Sequence, residues 1–284
     1  MIMTAGKVCE EIANRLKSIY DKREAKNIAF LFLEDEFGIG KMQVMTNESI
    51  ELDSERLEAG ISRLLHGEPL QYVTGVADFY GRKFKVTPGV LIPRPETEEL
   101  VQLILNQNLA DEPTVLEVGV GSGCIAITLA LALNVRVFGT DISKTPLSVT
   151  EENARALGAK IELFEHNILN APLPVQNLDV LVSNPPYIPL QERKSMHQNV
   201  IDFEPKTALF VPDDHALLFY EKIAEKGRAS LAPEGRLYVE IHESYGPEVK
   251  SLLENMGYKE AVIHQDMQGK NRIVSAINST STSL

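Results

Sequence analysis

The feature that most constrains the fold is an alternation of strand-like and helix-like segments that begins near residue 93. Short runs rich in Val, Ile and Leu predict buried β-strands, and longer segments with helical spacing of apolar residues predict the helices between them. Such alternation predicts the α/β class, with a doubly wound, mostly parallel seven-stranded sheet and right-handed crossovers. The predicted strands are 114–120, 135–141, 160–165, 179–183, 235–242, 258–267 and 271–277, and the predicted helices are 122–134, 146–158, 214–231 and 247–257.

The first 71 residues follow a different pattern, in which apolar residues recur at helical spacing. The first predicted helix places Ile12, Leu16 and Ile19 on one face. Segments 25–38 and 54–67 repeat the spacing, and each ends at a glycine. The pattern predicts a small N-terminal helical bundle. No residue of this bundle is a catalytic candidate, so packing against the main domain or against a partner is enough to explain its apolar faces.

The segment from residue 72 to residue 92 changes period again. Val, Phe and Tyr are frequent there, and Gly75, Gly81 and Gly89 mark turns. This composition predicts a β-hairpin that links two domains. The predicted organisation is therefore a helical domain at 1–71, a hairpin linker at 72–92 and the α/β domain at 93–284.

Composition and charge exclude several classes of protein. Hydrophobic residues make up 44% of the chain and charged residues 24%, as in soluble globular proteins. The net charge is −12 and no basic patch stands out, so direct nucleic-acid binding is not expected. The N-terminus lacks a signal-peptide pattern, and no run approaches the roughly 20 apolar residues of a membrane span. A cytoplasmic protein without membrane contact is expected.

The cysteines and histidines indicate no metal site. Cys9 and Cys124 are far apart, which gives neither a disulfide framework nor a zinc spacing. Cys124 lies in an apolar run and is predicted to be a buried core thiol. The six histidines show no metal-ligand spacing. The polar C-terminal stretch, 278–284, is predicted to fray, and the oligomeric state is left open, with a monomer favoured.

A glycine-rich loop, LEVGVGSGC at residues 116–124, follows a predicted strand and opens a predicted helix. Its glycines permit a sharp turn and a close approach of a ligand to the backbone. The third glycine comes one residue too early for the dinucleotide fingerprint, and no Gly-Lys-Ser/Thr follows as in a phosphate-binding loop. Taken alone, the loop could also be only a tight strand-to-helix turn.

Asp141 ends the next predicted strand, about 20 residues further on, where a carboxylate can hydrogen-bond a ribose diol. Together with the early third glycine, this position favours a nucleoside ligand without a pyrophosphate, and S-adenosyl-L-methionine is the obvious candidate. Glu117 could contact the methionyl end or could organise the loop through backbone N–H groups. Asn167 and Ile168 suit adenine by a hydrogen bond and an apolar contact, although a polar loop start beside a core Ile would look the same.

The segment Asn184-Pro185-Pro186-Tyr187 follows a predicted buried strand. Each proline fixes its own φ near −65° and keeps the preceding residue out of the helical region, so the stretch is stiff and extended. The two prolines contribute no N–H donor. What remains is a set of carbonyl acceptors, the Asn184 side-chain oxygen and an aromatic ring. A proline-rich strand exit with a buried tyrosine is the simpler alternative.

Such a set suits a planar –NH₂ group that receives a methyl group. One N–H can donate to the Asn184 side-chain oxygen and the other to the Pro185 carbonyl, while Tyr187 lies against the π-face. An amide or aryl amine nitrogen is a poor nucleophile because its lone pair is delocalised, and acceptors on both N–H bonds stabilise the charge that develops there. By analogy with an oxyanion donor, each group contributes on the order of 10²–10³ in rate. No general base is required.

These motifs resemble those of the class I S-adenosylmethionine-dependent amino-methyltransferases, which have a Rossmann-like fold and include DNA adenine-N6 and protein glutamine-N5 enzymes. A second motif, VLIPRPETEELV at 90–101, resembles the signature of the bacterial release-factor glutamine methyltransferases, the PrmC/HemK type. Segments 202–209 (DFEPKTAL) and 269–274 (GKNRIV) match later parts of that family. The resemblance covers nearly the whole chain.

The resemblance implies methylation of the side-chain amide nitrogen of the glutamine in the Gly-Gly-Gln loop of class 1 peptide-chain release factors. It implies S-adenosyl-L-methionine as cofactor, S-adenosyl-L-homocysteine as product, and substrate recognition by the helical domain. The family often has Asp and an aromatic residue where this chain has Asn167 and Ile168. The expected cofactor-binding positions are Gly119, Val120, Gly121, Ser122, Gly123, Asp141, Asn167, Ile168 and Asn184. The expected catalytic positions are Asn184, Pro185 and Tyr187, and the expected substrate-binding positions are Asn184, Pro185, Pro186 and Tyr187.

Two other functions are kept open. An adenine-N6 methyltransferase acting on DNA or RNA shares the Asn-Pro-Pro-Tyr chemistry, but it should bring a basic region for base flipping. A non-catalytic nucleoside-binding or NAD-linked protein is disfavoured by the early third glycine.

The segment 93–97 is predicted both to begin a helix, with glutamates in its first turn, and to close over the site.

Overall fold

The structure is a computed structural model that describes residues 2–279. The chain divides into two compact units, one up to residue 76 and one from residue 77 onward, with residues 197–203 grouped with the first. The part of the C-terminal tail from residue 280 onward, which was expected to fray, lies outside the described residues. Up to residue 74 the elements are β1 Ile2–Thr4, α1 Ala5–Leu16, α2 Lys22–Phe37, α3 Lys41–Thr46, β2 Ser49–Glu51, α4 Ser54–Leu65 and α5 Leu70–Thr74.

The remaining elements contain the predicted strand and helix alternation. They begin with a short hairpin and end with an antiparallel strand pair. In chain order they are β3 Val76–Phe79, β4 Arg82–Lys85, α6 Pro95–Leu105, β5 Val115–Val118, α7 Cys124–Leu133, β6 Val137–Asp141, α8 Lys144–Leu157, β7 Ile161–Glu165, β8 Leu178–Ser183, β9 Ile188–Pro189, a 3₁₀ helix Leu190–Ser195, α9 Gln198–Phe203, α10 Lys206–Leu209, β10 Phe210–Val211, α11 Leu218–Ser230, β11 Leu231–Glu240, α12 Gly246–Asn255, β12 Tyr258–Gln265 and β13 Asn271–Asn278.

The first unit is helical, and its helices pack their apolar faces into one core. Asp21 and Asp53 cap α2 and α4, because each carboxylate accepts two backbone N–H groups of the first turn. The sequence prediction was wrong at Ile19: α1 ends at Leu16, so Ile19 leaves the buried face and is 47% exposed. The short antiparallel pair of β1 and β2 was not predicted.

The predicted hairpin is shorter than its segment. Strands β3 and β4 pair over residues 76–85, whereas residues 70–74 form α5, which ends at Gly75 in a left-handed conformation. Tyr72 is therefore helical and buried rather than part of a strand. The sequence predicted a strand at this position because a single helical turn is too short to show the helical spacing of its apolar residues.

The central sheet confirms the predicted class. Its seven strands are ordered β12-β13-β11-β8-β5-β6-β7, and β13 alone runs opposite to the other six. Two cores cover its faces, so neighbouring residues of one strand point to opposite sides: Val180 and Val182 into one core, Leu181 into the other. Helices α6, α7 and α8 cover the first face and α11 and α12 the second, as in a doubly wound fold.

Strands β5, β6, β8 and β11 run in the same direction, so their carboxyl ends meet at one edge of the sheet. Ligands bind at this edge in open α/β sheets. The glycine loop, Asp141, Asn184 and Glu240 all stand there. Within residues 2–279, no helix combines the length and the apolar character that a membrane crossing needs.

Candidate active site

A cavity of about 380 Å³ lies at the carboxyl edge of the sheet in the second unit. It brings together segments that are far apart in sequence, including residues 89–94, the glycine loop and the Asn-Pro-Pro segment. Among the predicted site residues, Gly123 and Tyr187 do not line it. Those that do are Gly119, Val120, Gly121, Ser122, Asp141, Asn167, Ile168, Asn184, Pro185 and Pro186.

The three glycines of the loop have different physical roles. All have positive φ, at 81° for Gly119, 56° for Gly121 and 80° for Gly123. A Cβ on Gly119 or Gly121 would meet nothing within 4 Å, so these residues leave open space. A Cβ on Gly123 would stand 2.7 Å from Thr150 and 2.8 Å from Ile127. Gly123 is therefore required for packing at the start of α7, which explains why it does not line the cavity.

Asp141 ties the end of β6 to the glycine loop. Its Oδ1 accepts the Ser143 N–H at 2.9 Å, and its Oδ2 accepts the Gly121 N–H at 3.3 Å. Burial raises the pKa of the Asp141 carboxyl, and these backbone donors oppose the rise by stabilising the ionised form. Each oxygen keeps a further lone pair, so a diol could donate to this carboxylate.

Glu117 organises the loop, which is one of the two roles considered for it. It is 1% exposed, and its Oε2 accepts the Ala126 N–H in the first turn of α7 at 2.8 Å. Burial raises the pKa of this carboxyl well above its ordinary value, and the negative charge of Asp141 adds to the rise. Glu117 also lines the cavity. Cys124 is buried as predicted, and burial raises the pKa of its thiol.

Beside β7, the residues proposed for adenine contact line the cavity as a polar and apolar pair. Asn167 Oδ1 accepts the Leu169 N–H at 2.9 Å, and Ile168 is buried next to it. The sequence did not single out His166. Its Nε2 lies 2.9 Å from the Pro172 carbonyl, so Nε2 carries the proton. When the ring is neutral, Nδ1 is then an acceptor, and it is buried and without a partner in residues 2–279.

These residues fit a nucleoside cofactor. One cavity is lined by all of the residues that such a cofactor would need. Gly119 and Gly121 leave space beside the backbone, Asp141 offers a carboxylate to a diol, and His166 has a ring nitrogen without a partner in residues 2–279. Ile168 provides an apolar contact for a base. The described part of the chain contains no group of three or more His, Cys, Asp or Glu side chains that could hold a metal ion.

The Asn-Pro-Pro-Tyr segment is fixed by hydrogen bonds at both ends. Asn184 Nδ2 donates to Thr97 Oγ1 at 3.3 Å, and the Tyr187 hydroxyl donates to Glu240 Oε1 at 3.2 Å. Burial raises the pKa of the Tyr187 phenol, and the negative charge of Glu240 adds to the rise, so the hydroxyl stays protonated. The ring meets His242 edge-on, with centroids 6.2 Å apart.

Four further residues complete the surroundings of the site. The Thr97 hydroxyl donates to Glu240 Oε2 at 2.7 Å, and both side chains are buried. Arg94 Nη2 lies 2.6 Å from Glu204 Oε1. Arg94 and Thr97 belong to the segment 93–97, which was predicted to begin a helix and to close over the site, and Glu204 belongs to the motif at 202–209, for which no role was predicted. Glu240 is the last residue of β11, and an acidic residue at a strand end is too common to single out.

Comparison with known proteins gives consistent matches. The chain matches a family model described as "PrmC N-terminal domain" over residues 7–75 and one described as "Methyltransferase domain" over residues 115–203. It is 40% identical to the release factor glutamine methyltransferase of Bacteroides thetaiotaomicron, over 95% of this chain and 99% of that protein. It is 37% identical to the protein of the same name from Flavobacterium psychrophilum, over 93% and 95% of the two chains.

A solved structure supports the fold. The crystal structure of a methyltransferase from Pyrococcus furiosus superposes with a TM-score of 0.52 at 15% identity, and the match covers 80% of this chain and all of that one. At this identity the likeness concerns the fold alone. The second unit thus has the architecture of known methyltransferases, and the predicted Rossmann-like fold is confirmed.

Proposed function

The chain belongs to the family of release factor glutamine methyltransferases, and from this membership we propose that it methylates the N5 side-chain nitrogen of the glutamine in the Gly-Gly-Gln loop of class 1 peptide-chain release factors. It is an S-adenosylmethionine-dependent methyltransferase, as its methyltransferase domain and its relatives establish. The assignment of the glutamine N5 nitrogen as the methyl acceptor depends on the geometry around Asn184.

The observation that carries the proposal is the hydrogen bond from Asn184 Nδ2 to Thr97 Oγ1. Since the amide nitrogen is held by Thr97, the side-chain oxygen is the end that remains for a ligand. Asn184 lines the same cavity as Asp141 and the open glycines. An acceptor at this place suits an amide N–H of the substrate.

The two prolines shape the rest of the acceptor site. Both line the cavity and neither has an N–H, so the backbone there offers only carbonyl oxygens. The Pro185 carbonyl would accept the second N–H of a planar –NH₂ group. Tyr187 does not line the cavity, so we assign it to the support of this segment, and contact of its ring with the substrate amide stays a prediction.

We assign the cofactor to the other half of the cavity. Gly119 and Gly121 would allow it to approach the backbone, Asp141 would accept from its ribose, and Asn167 and Ile168 would contact its adenine. When bound, S-adenosylmethionine supplies a sulfonium methyl group, which is the electrophile. Asn184 and Pro185 would hold the acceptor nitrogen in line with it and exclude water from that position, while the proton released goes to solvent.

The partner is proposed to be a folded protein, not a nucleic acid. The helical first unit matches a domain found in this family, and we assign substrate recognition to it. The chain carries 40 acidic and 28 basic residues, a balance that disfavours binding to a phosphate backbone. The proposed location is the cytoplasm, where release factors act.

Incubation with labelled S-adenosylmethionine tests the proposal. Three acceptors are compared: a class 1 release factor, the same factor with the loop Gln replaced by Ala, and duplex DNA. Label on the first alone, released as labelled methylamine on acid hydrolysis, is the expected result. Label on DNA and not on the release factor would establish the adenine-N6 alternative instead.

A further inference from the structure

Glu240 is a buried carboxylate that none of the roles above requires. It ends β11, is 1% exposed and does not line the cavity. Nevertheless both of its oxygens accept hydrogen bonds from the active-site region: Oε2 from Thr97 at 2.7 Å and Oε1 from Tyr187 at 3.2 Å. Burying a carboxylate is costly unless it is paired and hydrogen-bonded, so its presence beside the Asn-Pro-Pro-Tyr segment calls for a reason.

The direction of the hydrogen bonds gives that reason. A threonine hydroxyl has one hydrogen, and an ionised carboxylate has none to donate. The Thr97 hydrogen must therefore point to Glu240, which leaves only lone pairs on Thr97 for Asn184. The Asn184 amide can meet a lone pair only with its NH₂ end. By accepting the Thr97 hydrogen, Glu240 thus fixes which end of the Asn184 amide is turned away from Thr97.

The second oxygen of Glu240 fixes the other end of the same segment. It holds the Tyr187 hydroxyl, and His242, two residues beyond Glu240, meets the Tyr187 ring edge-on. His242 is itself fixed, because its Nε2 lies 3.1 Å from Glu192 and its Nδ1 accepts the Ser244 N–H. Asn184 and Tyr187 are therefore oriented from one carboxylate.

Burial raises the pKa of the Glu240 carboxyl above its ordinary value of 4.5, and the hydrogen bonds from Thr97 and Tyr187 and the positive charge of Arg272 oppose this rise. Glu96 is the acidic neighbour that raises it further. Arg272 is held in place by Asp266, with Nη2 and Oδ2 3.2 Å apart.

We propose that Glu240 is a positioning residue for methyl transfer, which acts through Thr97 to present the Asn184 oxygen to the substrate amide and through Tyr187 to hold the aromatic ring. The proposal rests on the proposed function, because the oriented group is the one assigned to the acceptor nitrogen. It also gives a role to the motif at 90–101, since Thr97 is the residue of that motif that contacts both Asn184 and Glu240.

The variants Glu240→Gln and Thr97→Val test the proposal in the full-length enzyme. A glutamine at 240 has one oxygen and one NH₂, so it cannot accept from both Thr97 and Tyr187. If its NH₂ faces Thr97, the Thr97 hydrogen is free to turn toward Asn184 and the Asn184 amide reverses. We expect kcat to fall about 10–100-fold in both variants, while KM and the calorimetric Kd for S-adenosylhomocysteine change by less than about 3-fold.

Two further variants separate positioning from general packing. Thr97→Ser keeps the hydroxyl and should retain kcat within about 3-fold of the wild type. Thr128→Val is the matched control, because the Thr128 hydroxyl is also buried and has no partner in residues 2–279. It should leave kcat unchanged. The double variant Glu240→Gln/Thr97→Val should have the same kcat as the less active of the two single variants, since the two residues act in one chain of hydrogen bonds.

The outcomes distinguish this proposal from the proposed function. Wild-type enzyme that fails to methylate a release factor would overturn the proposed function. Wild-type enzyme that is active, with Glu240→Gln and Thr97→Val within about 3-fold of it, would overturn only the positioning role. A parallel loss of kcat and of S-adenosylhomocysteine affinity would also overturn it, because Glu240 would then support the whole site.

Discussion

Arg94 and Glu204 form an ion pair, with Nη2 2.6 Å from Oε1, between segments 110 residues apart in sequence. The other oxygen of Glu204 accepts the Ile92 N–H at 3.4 Å. The Glu204 side chain is 1% exposed and that of Arg94 33%. The pair therefore connects the motifs at 90–101 and 202–209, both of which line the cavity.

Arg94→Ala is expected to destabilise the protein strongly, because it leaves the buried Glu204 carboxylate without its cation. Breaking a buried pair in this way costs roughly 3 kcal/mol in the free energy of unfolding. The double variant Arg94→Ala/Glu204→Gln should recover part of the loss, since it also removes the charge. Urea denaturation gives the free energy of unfolding of the wild type and both variants.

The control is Arg136→Ala, which breaks the exposed Arg136–Glu162 pair and should lower the free energy of unfolding by less than about 1 kcal/mol. Equal losses in Arg94→Ala and Arg136→Ala would refute the burial argument.

Asp141→Ala is expected to weaken binding of S-adenosylhomocysteine by about 1–3 kcal/mol, because it removes the proposed ribose acceptor and the bonds to Gly121 and Ser143. Isothermal titration calorimetry measures the change. Asp141→Asn keeps one acceptor oxygen in nearly the same shape and should fall between the wild type and Asp141→Ala. Unchanged affinity in Asp141→Ala would show that the ribose assignment is wrong.

Asn184→Ala is expected to lower turnover of the release factor by about 10² or more, because it removes an acceptor aimed at the reacting nitrogen. Cofactor affinity should stay within about an order of magnitude, since the cofactor keeps its other contacts. Single-turnover kinetics with labelled cofactor separates the two effects. Near-normal turnover would exclude Asn184 from the reaction.

Glu117→Gln is expected to change how stability depends on pH. The pKa of Glu117 is raised in the folded protein above its ordinary value of 4.5, so the folded state holds the proton more tightly than the unfolded state. Its contribution is therefore fully present below about pH 4.5 and is lost as pH rises through the folded pKa. Glutamine does not ionise, and its oxygen can still accept the Ala126 N–H.

The free energy of unfolding of Glu117→Gln, relative to the wild type, should thus increase between pH 5 and pH 8. Urea denaturation of both proteins at each pH measures this difference. Asp141 is the acidic neighbour that strengthens the effect, so Asp141→Asn should reduce it. A relative stability that stays constant or falls with rising pH would show that Glu117 is not shifted in the stated direction.

The sheet could be predicted from the sequence because its strands carry their signal locally. Apolar runs such as the one before Asn184 are short, β-branched and bounded by turn residues, and each was found as a strand. The carboxyl-edge position of Asp141 and Asn184 then followed from the rule for parallel sheets. The prediction failed at Tyr72 because one turn of helix shows no reliable period, and at Ile19 because α1 ends at Leu16 although no Gly or Pro follows it.

The partners of the site residues could not be predicted in this way. That Thr97 would meet Glu240, or Arg94 would meet Glu204, depends on how α6 and the segment after α9 pack onto the sheet. No spacing in the sequence encodes such a pairing. Favourable charges at the start of a helix already explained the residue types at 93–97. The structure adds the contacts of this segment with Asn184, Glu240 and Glu204.

The hydrogen bond between Thr97 and Glu240 spans 143 residues of sequence, and this separation has a consequence for how activity arises as the chain folds. No fragment shorter than residues 97–240 contains all the groups that orient the Asn184 amide. Contacts between such distant residues form slowly in folding because the intervening loop must close first. Activity should therefore return last, after the sheet has joined β5, β8 and β11.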